Sequence, residues 1–232
     1  MNSIKENIEA IRFRIKQIVA RINISTNPVK IMAVTKTVND DKILQAIDAG
    51  IELIGENYVQ EAQRKQKTIF SKAQMHLIGH LQSNKAKYAV QLFDMIHSVD
   101  RIELAKELDK RAKSIAKKQN ILIEINTSGE VTKSGISPEM AIPLIREITS
   151  LNNLRICGLM TMPPYFEDPQ SARKYFIALR NLRDEIITQK IDNVFMEELS
   201  MGMSDDFEVA IEEGATIVRI GRAIFGKRVA KQ

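Results

Sequence analysis

KIMAVTKTVNDDKILQAIDAGIELIGE, residues 30–56, reads as a strand, a helix and a second strand in succession. The apolar run at 30–36 ends on Lys36. Asn39-Asp40-Asp41 then opens a helix over 40–49 whose Ile43, Leu44 and Ile47 share one face. Capping residues and acids suit a helix N-terminus, where exposed amides and the dipole favour them, and Gly50 supplies a left-handed exit toward the strand at 52–56. The unit recurs near the other end. Ser204-Asp205-Asp206 opens a helix over 205–213 with Phe207, Ala210 and Ile211 on one face, and Gly214 precedes a strand at 216–221.

Working outward, short apolar runs predict further strands at 75–79, 95–99, 121–127, 155–162 and 197–200. Helices are predicted between them at 58–71, 83–92, 101–118, 138–150 and 168–189. Before them all, Ile4, Ile8, Ile11, Ile15, Ile18 and Ile22 fall at helical spacing, with Glu6 and Glu9 interrupting any leader-like apolar core. Eight strands alternating with helices in 232 residues suit a (β/α)8 TIM barrel, usually about 250 residues long. The expected fold class is therefore α/β: a single barrel domain over 1–232 with an extra N-terminal helix. A doubly wound open sheet is the rival, and the Gly-rich first turn it normally shows is absent after Lys36.

Composition narrows the function. Lys plus Arg is 34 against 29 Asp plus Glu, a formal charge of +5, and aromatics are 5%. The basic residues lie scattered among acids with no aromatic interleaving, which argues against nucleic-acid binding. No run approaches the ~20 apolar residues of a membrane span. The only cysteine, Cys157, sits in an apolar run, so disulfides and cysteine metal sites are excluded and a reducing cytoplasm is the expected location. His76, His80 and His97 lack metal-ligand spacing.

Strand C-terminal ends share one mouth in a TIM barrel. Lys36 there is either a surface charge beside a loop or an amine poised to form an imine. An imine needs the neutral form, which partial burial beside a cation such as Arg219 would favour. Ser200, Gly202, Gly221 and Arg222 fall where this fold often holds a phosphate, although the glycines also suit plain tight turns. Alternation places Arg219 on the face opposite Val218 and Ile220, inside the barrel. It needs an acceptor there: an internal ion pair with Glu197 or Glu56, or a heteroaromatic ring nitrogen. Asn57, His80 and Asn126 either contact a ligand or tie down loops.

These residues belong to longer segments: AVTKT at 33–37, GENYVQE at 55–61, HLIGHLQSNK at 76–85, HSVD at 97–100 and NTSG at 126–129. KSG at 133–135, GLMT at 158–161, LSMGMSDDFE at 199–208 and VRIGRAIFG at 218–226 follow in order. Together they make the chain similar to the pyridoxal phosphate homeostasis protein family, related in fold to the N-terminal barrel of alanine racemases (PLP fold type III). The resemblance implies a cytoplasmic, monomeric barrel holding pyridoxal 5′-phosphate as a Schiff base on Lys36. It implies Asn57 near the cofactor, Ser200 with the Gly221–Arg222 turn on its phosphate, and Arg219 at its pyridine nitrogen. It further implies a role in vitamin B6 homeostasis without catalytic turnover, with apo-enzymes that use the cofactor as partners. Arg222 stands where threonine is frequent in the family, and His80 where proline is common. Racemases complete their site with a tyrosine from a second domain, for which eight βα units leave no room here. Tyr58 and Tyr165 keep a small racemase or lyase as the alternative.

Overall fold

A computed structural model describes residues 3–22, 28–69, 71–130 and 132–226. Helix α1 (Ile4–Ile22) comes first, and strands and helices then alternate. They are β1 (Lys30–Val34), α2 (Asp40–Asp48), β2 (Leu53–Glu56), α3 (Val59–Ile69), β3 (Gln74–Leu77), α4 (Ala86–Leu92), β4 (Met95–Val99) and α5 (Ile102–Lys113). The second half comprises β5 (Gln119–Glu124), α6 (Pro138–Ile148), β6 (Leu154–Met160), α7 (Arg173–Thr188), β7 (Val194–Met203), α8 (Phe207–Glu212), β8 (Ile217–Ile220) and a short α9 (Arg222–Phe225). The strands close into a parallel barrel in sequence order, with β8 paired to β1 from Lys30 opposite Ile217 to Ala33 opposite Ile220.

Two layers of core follow from strand alternation. Ala33, Val218 and Ile220 point outward and join the apolar mass under the helices. Met32, Leu53 and Ile217 point inward and pack with Ile78, and Met95, Leu122, Cys157 and Met160 form a second interior cluster. Gly55 lies against the first of these clusters, where a Cβ would sit 2.5 Å from the Met32 sulfur and force that side chain to shift.

The extra helix covers the barrel's closing seam. Ile8, Ile11, Ile15 and Ile18 of α1 are buried, and α1 packs on α2, α8 and α9. Its Arg12 donates to the carbonyls of Ala49 (2.9 Å) and Gly50 (2.6 Å), satisfying the exposed carbonyl end of α2. Asn7 donates to Ile224 of α9 at 2.9 Å, and Arg14 pairs with Glu208 of α8 at 2.7 Å. One helix thus ties the elements that follow β1 to those flanking β8. Replacing Ile11 by Ala should cost about 2–4 kcal/mol in urea unfolding. Phe13→Ala, on the exposed face of α1, should stay within about 0.5 kcal/mol. Equal effects would contradict this packing.

Candidate functional site

A cleft of about 500 Å³ opens at the C-terminal strand ends, and Lys36, Asn57, Arg219, Gly221 and Arg222 all line it. Val34, Ile78 and Met160 are among its apolar walls, and Met203, Ser204, Asp205 and Phe225 complete the side toward α9. Ser200 lies elsewhere. It is fully buried inside the barrel and does not line the cleft.

Lys36 follows β1 between two threonines with tied backbones. Thr35 N donates to Gly55 O (3.0 Å), and Thr37 N donates to the Glu61 carboxylate (2.6 Å). Thr37 has φ 64°, in the left-handed region. Asn57 leaves the end of β2, where Gly79 packs against its backbone. A Cβ on Gly79 would sit 2.3 Å from the Asn57 carbonyl oxygen, so only glycine permits the approach. Ser98 Oγ holds the Gly79 carbonyl at 2.7 Å.

Arg219 is buried and heads a chain of polar groups across the barrel. Its Nη1 donates to Ser200 Oγ (2.9 Å) and its Nη2 to Thr161 O (2.8 Å). Ser200 Oγ lies 3.0 Å from His97 Nδ1, and His97 Nε2 lies 2.9 Å from His76 Nδ1. With the guanidinium supplying one hydrogen to Ser200, the hydroxyl's own proton is assigned to His97. His97 then donates to His76, and both rings are neutral. Burial lowers Arg219 to about 10, opposed by Asp206 and Glu124, so it stays charged at neutral pH. The partners predicted for an internal ion pair are engaged elsewhere, Glu197 with Arg155 and Glu56 with Lys65. Glu124 is buried, and burial, the nearby Asp100 charge and the opposing Arg219 leave its carboxyl at about 7.

Opposite Lys36 in the chain, the cleft takes its polar lining from the turn after β8 and the end of β7. The β7–β8 register shifts between Ser200 and Met203, which carries the strand past Ser200 and brings Ser204 to the rim. Gly202, at φ 88°, lies so close to α8 that a Cβ would meet that of Ala210 at 2.5 Å. Ser204 Oγ accepts from Ala223 N at 3.2 Å and keeps its own hydrogen to donate. The Arg222 guanidinium pairs with Asp205. The sequence pattern marks Ser204 and Asp205 only as the opening of a helix and assigns Phe225 no role, whereas all three line the cleft.

Other polar residues have local roles. Asn126 ties its own loop, donating to Glu130 O (2.9 Å) and accepting from Ser128 Oγ and Gly129 N (3.0 Å each). His80 is exposed and, like the exposed Tyr58 and Tyr165, lies outside the cleft lining. Burial raises the Cys157 thiol to about 11. Among the described residues no cluster suits a metal ion, and no helix is long and apolar enough to cross a membrane.

The alanine racemase N-terminal domain family model matches residues 7–229, the span that forms this closed parallel eight-stranded barrel. A pyridoxal phosphate homeostasis protein of Aquifex aeolicus is 44% identical over 224 residues, covering 96% of this chain and 97% of that protein. PipY of Synechococcus elongatus, solved with PLP bound, is 32% identical with a TM-score of 0.83, covering 97% of this chain and 100% of that one. The chain belongs to the pyridoxal phosphate homeostasis protein family. An alanine racemase of Clostridium difficile, 16% identical, shares the fold at a TM-score of 0.68 over 95% of this chain and 57% of its own.

The histidine pair has a consequence for acid stability. Burial, with the Lys30 charge adding to it, lowers His76 to about 3, and burial with His76 and Arg219 lowers His97 well below the ordinary range. A depressed folded value means that stability is fully present above about pH 6.5 and is lost as pH falls toward 3. Between pH 7.5 and 5, wild-type protein should lose about 2 kcal/mol more unfolding free energy than a His76→Asn variant. Denaturant titrations at the two pH values check this, and equal losses would mean that His76 is not held neutral.

Proposed function

We propose that this protein binds pyridoxal 5′-phosphate in the strand-end cleft, holds it as a Schiff base on Lys36, and serves vitamin B6 homeostasis without catalytic turnover. The observation that carries the reading is that Lys36, Ser204 and the Gly221–Arg222 turn open onto one cleft, with Arg219 also in its wall. The residues fit the group. Lys36 suits the aldehyde carbon, Val34, Ile78 and Met160 offer apolar surface to the ring, and Asn57 lies alongside. The phosphate meets the Ser204 hydroxyl and the backbone of Gly221 and Arg222, whose amides open α9 and have no acceptor within that helix. Ser200 then acts one step removed, by fixing the guanidinium of Arg219.

Arg219 faces the pyridine nitrogen in this reading. The bound cofactor supplies an electron sink for carbanion chemistry, and that sink is strongest when its ring nitrogen is protonated. A permanently charged donor at that nitrogen leaves it unprotonated. The barrel therefore favours holding the cofactor over turning substrates over, and it does so as a cytoplasmic, monomeric single domain that passes the cofactor to apo-enzymes. The related relatives named for homeostasis, and PipY with its bound PLP, support this reading.

The purified protein incubated with the cofactor should absorb as a Schiff base, and borohydride should fix the cofactor to the peptide bearing Lys36. Lys36→Ala should abolish that attachment; an unchanged spectrum would sink the assignment. Ser204→Ala should weaken affinity about ten- to a hundredfold, the worth of one hydrogen bond to a charged group. Arg219→Glu should retain binding while the absorbance shifts toward a protonated ring. Rapid exchange of the α-proton of alanine or serine into deuterated water would instead establish a racemase or lyase.

A further inference from the structure

Lys65, on α3, is fully buried, and its three ammonium hydrogens meet three acceptors: Thr35 O at 2.6 Å, Glu56 Oε1 at 2.8 Å and Glu61 Oε1 at 2.8 Å. Thr35 and Thr37 are the residues on either side of Lys36. Thr35 O binds the ammonium directly, and the Thr35 hydroxyl donates to Glu56. Thr37 N donates to Glu61 Oε1, the same oxygen that receives Lys65. Both peptide segments beside the cleft lysine are therefore tethered to one nitrogen on a neighbouring helix.

The conformation at Thr37 shows what the tether holds. A left-handed backbone at a non-glycine residue costs roughly 1–3 kcal/mol and persists only where its surroundings over-determine it. Glu61 supplies that constraint at Thr37 N, and Lys65 in turn fixes Glu61. Burying an ammonium with two carboxylates is a poor route to stability, since apolar replacements of such groups are often neutral or better. What the arrangement delivers is a defined exit direction for Lys36. The ionic state of Glu61 supports the geometry. Burial alone would raise its carboxyl, but the bonds from Lys65 and Thr37 outweigh burial and hold it below the usual range. Glu56 goes the other way, raised by burial against the pull of Lys65 and Thr35.

We infer that Lys65 is a positioning residue that, through Thr35 and through Glu61 and Thr37, aims Lys36 at the cofactor's aldehyde and so sets the rate of covalent attachment. The inference rests on the cofactor assignment above. In the step concerned, the neutral amine nitrogen of Lys36 bonds the aldehyde carbon, and the carbonyl oxygen leaves as water with the amine's two hydrogens. No oxidant or reductant enters. Lys65 touches none of the reacting atoms, so its loss should slow attachment and leave the ring and phosphate contacts intact.

The test separates those two quantities. Lys65→Met combined with Glu56→Gln removes the ammonium together with the carboxylate that would otherwise stand uncompensated. Affinity for pyridoxine 5′-phosphate, which carries a hydroxymethyl group in place of the aldehyde, should remain within about twofold of wild type. Stopped-flow appearance of the Schiff-base absorbance with pyridoxal 5′-phosphate should slow at least about tenfold, since a misplacement near 1 Å costs up to about 10²-fold. Attachment at the wild-type rate, or equal weakening of both measurements, overturns the proposal. Should the double variant not fold, Glu61→Ala releases Thr37 N at a partly exposed position and should still slow attachment several-fold; an unchanged rate overturns the proposal there too. Wild-type protein that binds neither compound overturns the cofactor assignment, and this proposal falls with it. Wild-type protein that binds both, beside a variant that attaches normally, removes the positioning role alone.

Discussion

The parallel pairing of β8 with β1 is the constraint on which the rest depends. Lys30 N donates to Thr216 O at 2.8 Å, and the ladder runs on to Ala33 opposite Ile220. Parallel strands carry their C-terminal ends to the same side, so Lys36 and Gly221 emerge together although 185 positions separate them in the chain. Neither end alone makes a binding site. The seam also explains α1, whose apolar face and capping arginine bind together the helices on both sides of the closure.

Inside the closed sheet, packing and chemistry make opposed demands. A barrel interior ordinarily fills with branched apolar side chains. Here Met32, Leu53 and Ile217 occupy one part and Met95, Leu122, Cys157 and Met160 another, while Arg219, Ser200, His97 and His76 form a polar chain from β8 to β3. A buried guanidinium is tolerable only with acceptors in place, which Ser200 and Thr161 provide. The histidines complete the chain without adding charge, because burial keeps them neutral. The polar interior thus holds the Arg219 guanidinium in the lining of the cleft.

Sequence pattern revealed the order of elements because eight short apolar runs and their helix caps are local features. The strand at 95–99 agrees at both ends with β4. Others run past the ladder: 30–36 stops at Val34, 121–127 at Glu124 and 155–162 at Met160, because residues at the mouth leave the pairing to build loops. β7 departs most, extending over Val194–Met203 where only 197–200 was expected. With that end misjudged, Ser204 reads only as a helix-opening residue. Lys36, Asn57, Arg219, Gly221 and Arg222 were readable because each stands beside an apolar strand. Lys65 was not. It sits in the polar helix VQEAQRKQKTI, where nothing local separates a buried lysine from an exposed one. The His76–His97–Ser200 line joins residues more than 100 positions apart, beyond the reach of any periodicity.

Closure by the eighth strand also governs how the polypeptide can be made. During synthesis β1 emerges well before its partner at 217–220. Until then β1 and β7 each present an unpaired edge, and the isoleucine stripe of α1 has no α8 or α9 to cover it. Long-range parallel pairing is intrinsically slow to form. The nascent chain therefore carries unpaired, aggregation-prone edges through the whole interval between β1 and β8, a consequence of assembling the cleft from strands so distant in sequence.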